Sequence, residues 1–189
     1  MIKLFNNKTE KVGDDLKNVI KKGSKLSIAA SIFTIYGFES LKTELKKIDK
    51  LRFIFTDPTF VETDKNKREI KQFQINTALR QQAISGSDFE INLKNELKGR
   101  AIARECRKWI EQKVRFKTNA GNRYIQPHLL VQNPENSYVY MGMNEFSSVG
   151  LGYEKDNSIL NNILKLDDPH TTKDYLKNFD EIWNNDKVL

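Results

Sequence analysis

Two histidines serve the whole of this 189-residue chain, and one of them, His128, heads an apolar run at 125–132. Glu135 follows in the turn NPEN, and a second run then leads into a polar loop carrying Gly142, Asn144, Glu145 and Ser147. A histidine entering a sheet is either a packed side chain or the nucleophile of a site. Asn144 and Ser147 can donate hydrogen bonds to a phosphate, or they can satisfy their own turn. What surrounds His128 separates the alternatives, because a nucleophile needs cations or donors fixed where negative charge develops.

Few other residues compete for chemistry. His170, in DDPHTTKD, precedes a helical segment and suits a capping or surface role, and Cys106 lies on an apolar stripe and reads as core. One cysteine excludes an intramolecular disulfide, and two distant histidines make no cluster of the kind zinc requires. The expectation is an intracellular, cytoplasmic protein working without metal or other cofactor. The first fifteen residues lack a long apolar stretch, and nowhere do about 18 apolar residues run together, so secretion and membrane spanning are disfavoured.

The charge balance is basic: 32 Lys and Arg against 25 Asp and Glu leave +7, with a pI near 9.3. Such a balance favours a polyanionic partner where the cations cluster. They cluster best at 100–113, where Ile102, Cys106, Trp109 and Ile110 form an apolar stripe. Arg100, Arg104, Arg107 and Lys108 fall on other positions three and four apart. These four, with Arg123 in the polar turn beyond, are the candidate nucleic-acid contacts; the alternative is a solvated helix face.

The elements that must position these residues read as α/β. A short amphipathic helix is expected at 14–22, closed by Gly23, and 25–34 and 50–57 read as strands buried on both faces with a helix between them. That order implies a parallel pair. The region 58–99 loses its period and reads as an insertion or lid. Runs at 114–118, 125–132 and 137–143 suggest a meander, with NPEN bringing His128 and Gly142 close across a hairpin. Thr171 or Thr172 is the expected cap of a last helix, whose Tyr175, Leu176, Phe179, Ile182 and Trp183 repeat at helical spacing. The fold class expected is a mixed sheet flanked by helices, with residues 1–166 as one domain and 167–189 as a C-terminal amphipathic helix.

The element order and the stretch 125–152 together resemble the phospholipase D-like superfamily. Its signature is His-x-Lys, an Asp after a four-residue gap, and then a Gly-Ser-x-Asn loop. His128 stands at the His position, Glu135 at the Asp position and Gly142 at the glycine, and FSSVGLG at 146–152 looks like the continuation found in nuclease-like and helicase-associated members. The likeness is weak over 16–57 and more specific over 109–152. It implies a histidine that attacks phosphorus to form a phosphohistidine, without metal, while Lys and Asn neutralise and orient the phosphate oxygens. Here Leu130 occupies the Lys position, Met143 the Ser position and Glu145 the Asn position.

Two function classes follow. In one, the chain is a metal-independent phosphodiesterase, a nuclease using His128 and paired as a homodimer, since active members bring two motifs together. In the other, it is a degenerate, non-catalytic module that keeps the fold and binds nucleic acid, DNA rather than RNA. The substitutions at 130, 143 and 145 favour the second. The resemblance also implies a setting: the N-terminal part of a bacterial superfamily 2 helicase-like protein, with residues 167–189 leading toward an ATPase core. No Gly-x-x-x-x-Gly-Lys-Ser/Thr loop occurs in these 189 residues.

Overall fold

A computed structural model describes residues 2–57, 60–62, 73–75, 97–121, 123–155 and 161–188, with backbone alone for 60–62, 73–75 and 97–100. In chain order its elements are β1 (Ile2–Phe5), α1 (Val12–Val19), β2 (Lys25–Ala30), β3 (Ile32–Phe33), α2 (Ile35–Ser40), α3 (Lys42–Leu45), β4 (Lys50–Phe55), β5 (Phe60–Glu62) and β6 (Phe73–Ile75). There follow α4 (Leu97–Lys113), β7 (Val114–Thr118), β8 (His128–Gln132), β9 (Ser137–Met141), β10 (Glu145–Phe146), β11 (Ile163–Leu166) and α5 (Pro169–Trp183).

A seven-stranded sheet runs in the order β1-β11-β9-β8-β2-β4-β7. The strands β2, β4 and β7 are mutually parallel, and β8, β9, β11 and β1 add to the other side as antiparallel neighbours. This is the mixed sheet flanked by helices that the sequence implied. Both faces of β2 are covered, which explains its run of small and β-branched residues. Leu26, Ile28 and Ala30 join the larger core with residues of α1, α2, α3 and α4, among them Leu16, Phe38, Leu45, Cys106 and Trp109. The alternate residue Ala29 joins a second core, with Ile54, Leu130, Val139 and Phe179 of α5.

Several boundaries differ from expectation. Helix α1 starts at Val12 and stops at Val19, not at 14 and 22. Its first amides are met from outside: the Asn7 side chain accepts from Val12 N–H at 3.0 Å and the Leu151 carbonyl from Gly13 N–H at 3.1 Å. It stops early because Ile20 turns extended and is buried, while Gly23, at φ +81°, serves the following turn. The run 25–34 is two strands, β2 and β3, and the helix after it breaks at Leu41, with φ −121°, into α2 and α3. The meander fails at its first member. β7 follows helix α4 as a crossover and lies parallel to β4 at the sheet edge, where Phe116 packs on Phe53 and Phe55. The cap of α5 is Asp168 rather than Thr171 or Thr172: its carboxylate accepts from Thr171 N–H at 2.8 Å, with Pro169 opening the helix. That bond and a second from the Thr171 hydroxyl, also at 2.8 Å, hold the Asp168 carboxyl below its ordinary range.

Candidate functional site

His128 opens β8 opposite Ala29 of β2 and Met141 of β9. The carboxyl ends of β2, β4 and β7 therefore share its edge of the sheet, the side on which open α/β sheets carry their ligand crevices. Gly142 lies beside it, as the hairpin requires: its N–H donates to the Pro127 carbonyl at 3.1 Å, and its φ of +83° takes the chain sharply off β9.

The ring of His128 is not open to that side. It is 5% exposed and stands edge-on to Tyr175 and Phe179 of α5, at centroid distances of 5.7 and 5.9 Å. Nδ1 lies 2.7 Å from the Gln126 carbonyl, so the hydrogen-bond partner assigns it the proton and leaves Nε2 with its lone pair. Among the described residues Nε2 has no partner. Burial lowers the pKa, against a smaller upward pull from the Gln126 carbonyl. A neutral imidazole with a free Nε2 is the nucleophilic form, but a wall of aromatic rings faces it.

The other motif positions have gone into structure. Leu130 is 1% exposed in the second core, and Met143 is 1% exposed in the first. Asn144 is exposed, and its carbonyl accepts from Ser31 N–H at 2.9 Å and Ser31 Oγ at 3.1 Å. Glu145 pairs with Ile32 as β10 runs parallel to β3. Ser147 is fully buried: its Oγ donates to Glu145 Oε2 at 2.5 Å and accepts from Gly150 N–H at 2.9 Å. Glu145 and Ser147 thus close their own loop, whose Phe146 and Leu151 belong to the first core, whereas His128 faces the second. Glu135 is farther away, exposed at the hairpin tip beyond the opposite end of β8. There it lines a groove of about 320 Å³ with Asn133, Asp167 and Lys173.

Arg104, Arg107 and Lys108 are exposed on α4, while Ile102, Cys106 and Trp109 point inward. Burial pushes the Cys106 thiol up to about 12, as suits a core residue. The basic face is partly neutralised, because Arg107 pairs with Glu111 at 2.9 Å, while Glu105 turns to Lys42 of α3 at 2.7 Å. The side chain of Arg100 lies outside what is described. Arg123 belongs to a different place, the connection between β7 and β8, where it is exposed near the end of α5. His170 is a surface residue, with Nδ1 at 3.2 Å from Asp174.

Two cations beneath α5 escaped sequence reasoning. The Arg52 guanidinium donates to Ser27 Oγ at 3.0 Å and meets Asp180 at 2.6 Å, with Phe179 and Trp183 stacked over it at 4.9 and 5.6 Å. Lys117 Nζ donates to the carbonyls of Trp183 and Val188, at 2.9 and 3.0 Å. The available signal was strand alternation, since Arg52 and Lys117 occupy the positions that face away from the first core.

The geometry defines a mixed α/β domain whose helix-covered sheet face holds a buried histidine. No protein-family model matches the chain, and no curated protein matches it either. Among the described residues no helix is long and apolar enough to cross a membrane, and no group of three or more His, Cys, Asp or Glu could hold a metal ion.

Proposed function

We propose that the chain is a phospholipase D-like domain with a degenerate site, acting as a nucleic-acid-binding module. The observation that carries the non-catalytic half is Leu130. At the position where the family keeps its phosphate-clamping lysine, an aliphatic side chain is buried in the core that seats α5. A phosphoryl group approaching His128 would meet Phe179 and Tyr175 in place of a cation. Support for binding comes from the net charge of +7 and from the exposed Arg104, Arg107, Lys108 and Arg123. DNA is the favoured partner, and a helicase-like protein the favoured setting.

The test is fluorescence anisotropy of labelled DNA across a salt series. Binding should weaken linearly with log salt, and joint reversal of the four cations to Glu should cost at least about tenfold in affinity at low salt. Unchanged affinity in the reversed variant would remove this reading.

One observation favours the alternative, a metal-independent phosphodiesterase acting as a dimer: the Nε2 of His128, left with its lone pair and without a partner among the described residues. Cleavage of DNA or a generic phosphodiester in EDTA, abolished in His128→Ala, would establish it. Restoring lysine at 130 is a poor probe, because it would bury an ammonium in the second core.

A further inference from the structure

Among the described residues the aromatic side chains are almost all packed, and Tyr124 stands out at 88% exposed. It does not hang from a loose loop. On one side, Asn119 Nδ2 donates to the Arg123 carbonyl and to the Thr56 carbonyl, pinning the chain to the end of β4. On the other, Ile125 is buried in the second core. The ring is therefore presented from a held backbone, so little ordering entropy would be lost when something stacks on it.

Beside it is a recess of about 130 Å³, lined by apolar Ile125, Ile182 and Val188 and by polar Asn119, Asn185 and Lys187. That is below the ~300–1,000 Å³ of a drug-sized ligand, and it suits one flat ring. Arg123 and Lys187 stand exposed at its rim, with Lys117 behind it holding the Val188 carbonyl, and these outnumber the neighbouring Asp186.

We propose that this recess seats one base of a single-stranded nucleic acid, stacked on Tyr124, with the adjoining phosphates on Arg123 and Lys187. The inference rests on the nucleic-acid reading above and names the partner and the contact. Stacking is indifferent to base identity, because every base has a π-face, so this site binds single strands without sequence preference. A duplex keeps its bases inside the stack and offers Tyr124 nothing.

The experiment measures binding of fluorescein-labelled oligo-dT, and of an abasic oligonucleotide of equal length and charge, to the full chain at low salt. Tyr124→Ala should weaken oligo-dT binding about 5- to 150-fold, the loss of one stacked base. Tyr124→Phe should keep nearly all of the affinity, because the ring is retained. The abasic strand should bind wild type and Tyr124→Ala equally. Wild-type binding of oligo-dT that Tyr124→Ala leaves intact would overturn the stacking site while the broader reading stands. A wild-type chain that binds no nucleic acid at low salt would overturn both.

Discussion

The two faces of the sheet are built by different physics. The first is closed by α1 to α4 over aromatic packing: Phe33 touches Phe53, Phe116, Phe146 and Trp109 at centroid distances of 5.3–6.4 Å. Among the described residues the second is closed by α5, with Ile125 and Val188 beside it, and there polar groups join the apolar ones: Arg52 beneath Phe179 and Trp183, Lys117 on the carbonyls of Trp183 and Val188, and His128 edge-on to two rings. Apolar burial is strong and non-directional. Staples of the second kind fix a position while contributing less each, since desolvating a cation offsets much of what its contacts return.

The largest effect should separate the faces. Phe53→Ala, in the first core, is expected to cost about 3–5 kcal/mol in urea unfolding. Arg52→Ala, on the same strand one residue earlier, should cost about 1–3 kcal/mol, the loss of its stacking and its charged hydrogen bonds. Hydrogen exchange sharpens the contrast: amides of 169–183 should exchange faster in Arg52→Ala, while those of β2 hold. Equal global losses in both variants would show that the faces unfold as one unit and that α5 is no separate layer.

A middle-sized effect comes from His128. Its folded pKa lies below the unfolded value, because burial disfavours the imidazolium. The unfolded chain then binds more protons as pH falls below about 6.5, so stability is full above that value and declines beneath it. One such group gives a slope of at most about 1.4 kcal/mol per pH unit. Wild type should therefore lose more stability between pH 7 and pH 5 than His128→Leu, with unfolding followed in urea at each pH. Parallel pH profiles would mean that the ring is hydrated and α5 does not seal it.

The same contrast explains what could be read in advance. The first face was largely legible, because two-sided apolarity marks β2 and β4, and the stripe of Ile102, Cys106 and Trp109 marks α4. The hairpin that joins His128 to Gly142 was legible from NPEN. The second face was not, because docking of α5 depends on long-range pairs such as Arg52 with Asp180, 128 residues apart. Short strands also escaped. β1 and β11 hold four residues each: β11 forms between β9 and β1, and β1 has β11 as its ladder partner among the described residues. For the site, the spacing put the residues in view, but the burial of His128 beneath α5 follows from how that helix docks. Strand alternation placed Leu130 on the His128 side, while Met143 and the Glu145–Ser147 loop turned to the first core.

The smallest expected effect lies on neither face but on the exposed side of α4, and it decides whether that side is a binding surface or merely wet. Arg107 and Glu111 form an exposed i,i+4 pair, with 81% and 60% of their side chains open. Such a pair is worth about 0.3–0.5 kcal/mol, so Arg107→Ala should leave unfolding almost unmoved. DNA affinity should nonetheless fall, and the salt slope should shrink by about 0.7–0.9, the signature of one lost phosphate contact. Glu111→Ala should do the reverse, freeing Arg107 and raising affinity at low salt with little change in stability. If neither substitution moves affinity or slope, the cations of α4 are a solvated face, and binding belongs to Arg123 and the region around Tyr124.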